Sequence, residues 1–225
     1  MDYRLIVFDW DGTLMDSIER IATSMQRAFV DVGLTSPSDE DVREIIGLSL
    51  DKAIALLAPD TDETILKRIT DRYRHHFVDA SEIPMPMYPN ATKMLESLKA
   101  RGYLLGVATG KARRGLDRVF QDIDCHHLFD ATRCADETES KPHPKMLNEL
   151  MLELKVSAEQ TLMVGDTEFD MVMASNAGVD AIGVSYGVHE RQRLLENQAV
   201  DCMDSIEQLN NWFDQLSPQP LSNNN

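Results

Sequence analysis

The sequence predicts an α/β fold: a parallel sheet with helices on both faces, and a small α-helical cap inserted after the first strand. Two observations carry the sheet. Short runs rich in Val, Ile and Leu alternate with helical patterns, which is how a parallel sheet buried on both faces reads. Polar turns carrying Asp, Thr, Lys and Gly follow those runs, on the edge where open parallel sheets bind ligands. A third observation carries the cap. Residues 14–86 show helix after helix and no strand pattern, too long a crossover for a simple connection.

The strands come first. Residues 5–8, 104–108, 162–164 and 181–184 are apolar runs of strand length, and 129–132 form a further candidate. Helical patterns at 91–100 and 144–154 lie between the later ones. Within the insert, Ile18, Ile21, Ala22, Met25, Phe29 and Val32 hold helical spacing, with Asp16 or Ser17 as N-cap. Ile65, Ile69, Tyr73 and Phe77 repeat every four residues. Gly33, Pro37, Gly47 and Pro59 break the segment into helix-loop-helix units, and Pro84, Pro86 and Pro89 mark its return. The division is therefore a core of residues 1–15 and 86–216, a cap of residues 16–85, and a tail of residues 217–225. The tail's Pro, Ser and Asn read as disordered.

Composition bounds the function. The 225 residues suit one domain, or one domain with a smaller insert. With 38 acidic against 22 basic residues the net charge is -16, a surface that repels nucleic acid and anionic lipid. Cys125, Cys134 and Cys202 have no CxxC spacing and read as buried, inert thiols of a reduced compartment. No secretory leader pattern and no stretch of membrane-spanning length is present, so the expected location is cytoplasmic. His75-His76 and His126-His127 are adjacent pairs that do not share a helix face and make poor metal sites, and His143 reads as a helix-start residue.

The chemistry sits at four strand ends. Asp9-Trp10-Asp11-Gly12-Thr13-Leu14 closes the first strand. Alternation puts Asp9 and Asp11 on one side with Trp10 turned away, and Gly12 permits a sharp turn. Two carboxylates this close need a proton or a metal. A calcium loop is excluded, because no helix precedes the motif and its twelfth position is Arg20. Thr109-Gly110-Lys111 follows the next run, its hydroxyl and backbone N–H groups suited to a phosphoryl oxygen. Lys141, in Ser140-Lys141-Pro142-His143-Pro144, supplies a compact point charge ahead of a helix. Asp166 and Asp170 follow the run 162–164, four apart, so a helix beginning there would put both on one face.

With these motifs in this order, the chain resembles the haloacid dehalogenase superfamily, in its capped phosphatase branch, over nearly its whole length. Its layout is similar to phosphoglycolate phosphatases and beta-phosphoglucomutases. The resemblance implies a Rossmann-like core and Mg2+-dependent hydrolysis of a small phosphorylated metabolite through an aspartyl-phosphate. It implies Asp9 as nucleophile and Asp11 as general acid and base. Gly12, Thr13, Thr109, Gly110 and Lys141 would hold phosphate, and Asp9, Asp11 (by its backbone carbonyl), Asp166 and Asp170 the metal. Asn90 departs from the Tyr-Pro-Gly common after the cap in such proteins. Arg43, Ser49 and Lys52, around the break at Gly47, are the candidates for choosing the leaving group, through a second anionic group on it. A phosphomutase of the beta-phosphoglucomutase type and a receiver-like phospho-Asp switch are the alternatives, and a monomer or homodimer is expected.

Overall fold

The computed structural model describes residues 2–216; the expected tail lies outside the described residues. Six parallel strands form one sheet in the order β3-β2-β1-β4-β5-β6. They are β1 (Leu5–Phe8), β2 (Leu104–Thr109), β3 (Ala131–Cys134), β4 (Thr161–Gly165), β5 (Asp180–Val184) and β6 (Asp201–Met203). The sequence located the first five within one or two residues and missed β6, whose three residues (Asp-Cys-Met) form no apolar run. The order reverses at β1 and β4, and a crevice opens there at the carboxyl ends of the strands.

Both faces of the sheet are buried, which is why its strands read as continuous apolar runs. Ile6, Phe8, Leu105 and Val107 face one core, shared with helices α5 (Ala91–Ala100), α6 (Arg113–Ile123) and α10 (Ile206–Asp214). Leu5, Val7 and Met163 face the other, against α7 (Lys145–Leu154), α8 (Glu168–Ala177) and α9 (Arg191–Glu196). All three cysteines are free and buried.

Between β1 and α5 run α1 (Ile18–Asp31), α2 (Asp39–Arg43), α3 (Leu50–Leu57), α4 (Glu63–Arg74) and a π-helical turn, His75–Asp79. These helices bury an apolar cluster of their own, including Met25, Phe29, Val42, Ile54 and Ile69. The chain leaves and re-enters the core at one paired crossing. Asp16 N–H donates to Pro86 O at 2.9 Å and Tyr88 N–H to Leu14 O at 2.9 Å. Just beyond it, Asn90 has φ 69°, a left-handed conformation in which glycine is unstrained and Asn is among the few other residues tolerated. That accounts for glycine being common there and for Asn standing in for it.

Candidate active site

Asp9 and Trp10 leave β1 on opposite faces. Trp10 is fully buried edge-on to Phe120 and Phe129, with centroids 5.2 and 6.0 Å apart, which fixes the strand end and aims Asp9 the other way. Gly12 follows with φ 84°, and a Cβ there would lie 2.1 Å from Asp166 Oδ2. Both the turn and the approach therefore require glycine. Thr13 Oγ1 donates to Asp166 Oδ1 at 2.8 Å and Val188 N–H to Asp166 Oδ2 at 2.9 Å. Tyr186 OH donates to Thr13 O at 2.9 Å, tying the loop down.

Asp9, Asp166 and Asp170 are all buried, with one carboxylate oxygen from each within 4.8 Å of the others. Lys141 Nζ stands among them, 2.7 Å from Asp9 Oδ1 and 2.6 Å from Asp170 Oδ1, with its side chain fully buried. Burial works against the Lys141 charge, but Asp170 and Asp9 outweigh it and hold the ammonium above the usual lysine range. Burial raises Asp9 well above the carboxylate range; Lys141 opposes this, while Asp170 and Asp166 add to it. Asp166 is pushed up to about 7 by burial and Asp170, against the pull of Thr13, Val188 and Lys141. One cation thus serves three crowded carboxylates, and among the described residues Asp9 Oδ2 takes no hydrogen bond. A hard divalent cation with oxygen ligands fits this donor set.

Two local expectations are corrected. Asp166 and Asp170 do not share a helix face: α8 begins at Glu168, with Thr167 as N-cap and Asp170 closing a capping box on it. Asp170 Oδ2 accepts from Thr167 N–H at 3.1 Å and Oγ1 at 2.7 Å, leaving Oδ1 for Lys141. Ser17 occupies the N-cap position of α1 but caps nothing; its hydroxyl donates to Asp11 Oδ1 at 2.6 Å. The Asp11 side chain is not among the clustered carboxylates; Lys111 Nζ lies 3.0 Å from its Oδ2.

Thr109 is buried at the end of β2, and its Oγ1 accepts from Lys111 N–H at 3.1 Å. At Gly110 a Cβ would meet the carbonyl oxygens of Leu48 and Gly47 at 2.5 and 2.6 Å, so the loop between α2 and α3 rests on the motif backbone. Ser49 N–H donates to Ser140 Oγ at 2.9 Å. Between these layers lies a cavity of about 610 Å3, reaching from Asp9 and Asp11 past Ser49, Phe77 and Lys111 to Arg118.

Of the three residues expected to choose the leaving group, only Ser49 lines that cavity. Arg43 turns instead to Asp39, its i–4 partner at 2.7 Å, and Lys52 is exposed. The cavity's cations are Arg20, Arg74, Lys111, Arg114 and Arg118, to which sequence reasoning gave no role. Their signal was available in part: Lys111 adjoins the Thr109-Gly110 motif, and Arg114 and Arg118 follow at helical spacing. His143 accepts from Lys145 N–H at the start of α7, as expected for a helix-start residue.

A family model described as haloacid dehalogenase-like hydrolase matches residues 6–184. The chain is 32% identical to "Probable phosphatase IndB" of Dickeya dadantii over 91% of each chain. It is 30% identical to a protein named phosphoglycolate phosphatase from Haemophilus influenzae, over 92% of this chain and 96% of the other. Among solved structures it is similar to "a predicted phosphoglycolate phosphatase from haemophilus somnus", with TM-score 0.84 and 26% identity. That match covers 95% of this chain and 99% of the other.

Proposed function

The chain belongs to the haloacid dehalogenase-like hydrolase family, and we propose that within it the chain is a cytoplasmic, Mg2+-dependent phosphatase of a small phosphomonoester, working as a monomer or homodimer. The observation that carries this reading is the group Asp9, Asp166, Asp170 and Lys141 at the crevice where strand order reverses.

A phosphate dianion entering three carboxylates is repelled. Each pair of unit like charges at 4 Å costs about 4 kcal/mol at an effective dielectric of 20. Lys141 offsets part of this. Mg2+ bound by the carboxylates of Asp9, Asp166 and Asp170, with the backbone carbonyl of Asp11, would supply the remaining positive charge and polarise a phosphoryl oxygen. Asp9, whose Oδ2 takes no hydrogen bond among the described residues, attacks phosphorus in line; the bond to the leaving oxygen breaks, and Asp11 gives that oxygen its proton. Before substrate enters, Ser17 and Lys111 hold the Asp11 carboxyl from two sides. Asp11 then takes a proton from the water that hydrolyses the aspartyl-phosphate, one group serving both half-reactions. The helices of residues 16–85 act as a cap that keeps bulk water and large substrates out.

The test is phosphate release from a panel of small phosphomonoesters with Mg2+, comparing wild type with Asp9→Asn. Metal-dependent release that disappears in the variant supports the reading. No release from any ester, with Asp9 still phosphorylated by a small donor, would replace it with a switch or a mutase.

A further inference from the structure

We propose that Arg193 and Glu44 form an ionic latch between core and cap: it holds cap residues 44–49 down on the site loops, and its release opens the site. The latch goes beyond the phosphatase reading and stands without it.

Residues 44–49 cover the site at close range. The Gly47 and Leu48 carbonyls lie on Gly110, and a Cβ at Gly47 would stand 3.1 Å from Thr167 Oγ1. Ile46 is buried in a cluster with Ile18 and Ile21, against which Val188 packs. Apart from Ile46, these contacts are made by backbone, which removes little apolar surface from water. The fixed points are polar and stand at the two ends of the segment. At one end Ser49 N–H donates to Ser140 Oγ at 2.9 Å, beside Lys141. At the other, Arg193 on α9 meets Glu44, the residue after α2.

This second contact is a double fork. Arg193 Nη1 and Nη2 donate to Glu44 Oε1 and Oε2, each at 2.8 Å. Nε and Nη2 of the same guanidinium donate to Glu168 Oε2 and Oε1 at 3.0 and 2.8 Å. Four of its five N–H groups are engaged, in the planar geometry that arginine alone presents. Glu168 is the first residue of α8, two after Asp166. The core end of the latch is therefore anchored on the segment that carries the clustered carboxylates.

An exposed ion pair ordinarily contributes little, and the Arg43–Asp39 pair within α2 is of that kind. The Arg193 pair differs in two ways. It joins residues 149 apart in sequence, one in the cap and one in the core. It also stands between two carboxylates. Without Arg193, Glu44 and Glu168 would face each other as like charges, in a chain of net charge -16. One guanidinium thus turns repulsion between cap and core into attraction. Arg193 is 29% exposed and Glu44 48%, so solvent ions reach the pair and ionic strength shifts the balance.

The experiment follows amide exchange by NMR in the full chain with Mg2+ and reads it at Ser49, whose N–H bonds across to the core. Exchange there requires the cap to lift, whereas exchange in β1 requires the fold to open. Glu44→Gln should quicken Ser49 exchange about threefold, the scale of one ion pair at this exposure, and leave β1 unchanged. Arg193→Gln should quicken it further, because it leaves the two carboxylates opposed. Adding Glu44→Gln to Arg193→Gln should bring no further rise. The ratio of Glu44→Gln to wild type should fall towards one as salt is added. Asp39→Asn, which breaks the pair inside α2, should leave Ser49 exchange as it is. Ser49 exchange that Glu44→Gln does not change, or that rises in step with β1, would overturn the latch. So would effects of Glu44→Gln and Arg193→Gln that simply add. Turnover of p-nitrophenyl phosphate on the same samples keeps the two readings apart: a wild type that releases no nitrophenol counts against the phosphatase, while the exchange result still decides the latch.

Discussion

Without metal, the crowded carboxylates should make the protein less stable as pH rises through neutrality. Burial and Asp170 raise Asp166 from 3.8 to about 7 in the folded state. A carboxyl whose folded pKa is raised stabilises the fold below its unfolded pKa, and that contribution is lost as pH climbs to the folded value. Three units at 1.36 kcal/mol each give about 4 kcal/mol, a large share of the 5–15 kcal/mol typical of a whole protein. More than half of it should develop between pH 5 and 7.5, where Lys141, titrating far higher, contributes nothing. Asp9 acts in the same sense. His189, whose pKa burial lowers, acts in the opposite sense, so the clean quantity is the difference between wild type and Asp166→Asn. Urea unfolding in EDTA across this range should show the wild type falling relative to the variant as pH rises. Saturating Mg2+ should restore wild type more at pH 7.5 than at pH 5, because metal competes with protons for the same oxygens. A metal-free Asp166→Asn variant losing stability as steeply as wild type would refute the reasoning.

Three substitutions probe the rest of the site. Lys141→Met leaves three buried carboxylates without their cation and should cost roughly 3–5 kcal/mol in metal-free urea unfolding at pH 7.5, the usual cost of breaking a buried pair; a change under about 1 kcal/mol would count against the pairing. Gly12→Ala sets a Cβ 2.1 Å from Asp166 Oδ2 on a left-handed backbone, so Mg2+ affinity measured by calorimetry should fall about tenfold or more. Gly110→Ala pushes against the Gly47 and Leu48 carbonyls; it should raise KM and deprotect the amides of residues 45–49 in hydrogen exchange, with little change in Mg2+ affinity.

Much of the fold was legible because a sheet buried on both faces writes its strands as apolar runs, and β1, β2, β4 and β5 are such runs. The core of the site was legible for a related reason. Its residues sit directly after those strands, so locating the strand located the carboxylate or lysine. What failed was anything decided by a choice between partners. Ser17 looks like an N-cap, whose oxygen would accept from a backbone N–H, yet its hydroxyl accepts none and donates to the Asp11 carboxylate at 2.6 Å. Arg43 was expected to face the cavity, but Asp39, four residues before it on α2, took its guanidinium. Such contests are settled by distances that spacing along the chain does not encode.

The glycines make the same point in reverse. Gly12 could be read as a turn residue from its neighbours, and its φ of 84° bears that out. No such reading was possible for Gly165 or Gly187, whose backbones any residue could adopt. A Cβ at Gly165 would stand 2.3 Å from Asp170 Cγ, and one at Gly187 would stand 2.3 Å from Asp166 Cβ. Both are glycine because two aspartates must lie flat against the chain to bring their carboxylates within reach of Asp9. Each also draws the carboxylates away from water, which raises Asp166 towards 7 and leaves Lys141 as their one buried counter-charge among the described residues. The missing side chains and the raised pKa are therefore one feature: room cleared for crowded acids creates the electrostatic demand that a divalent cation would meet.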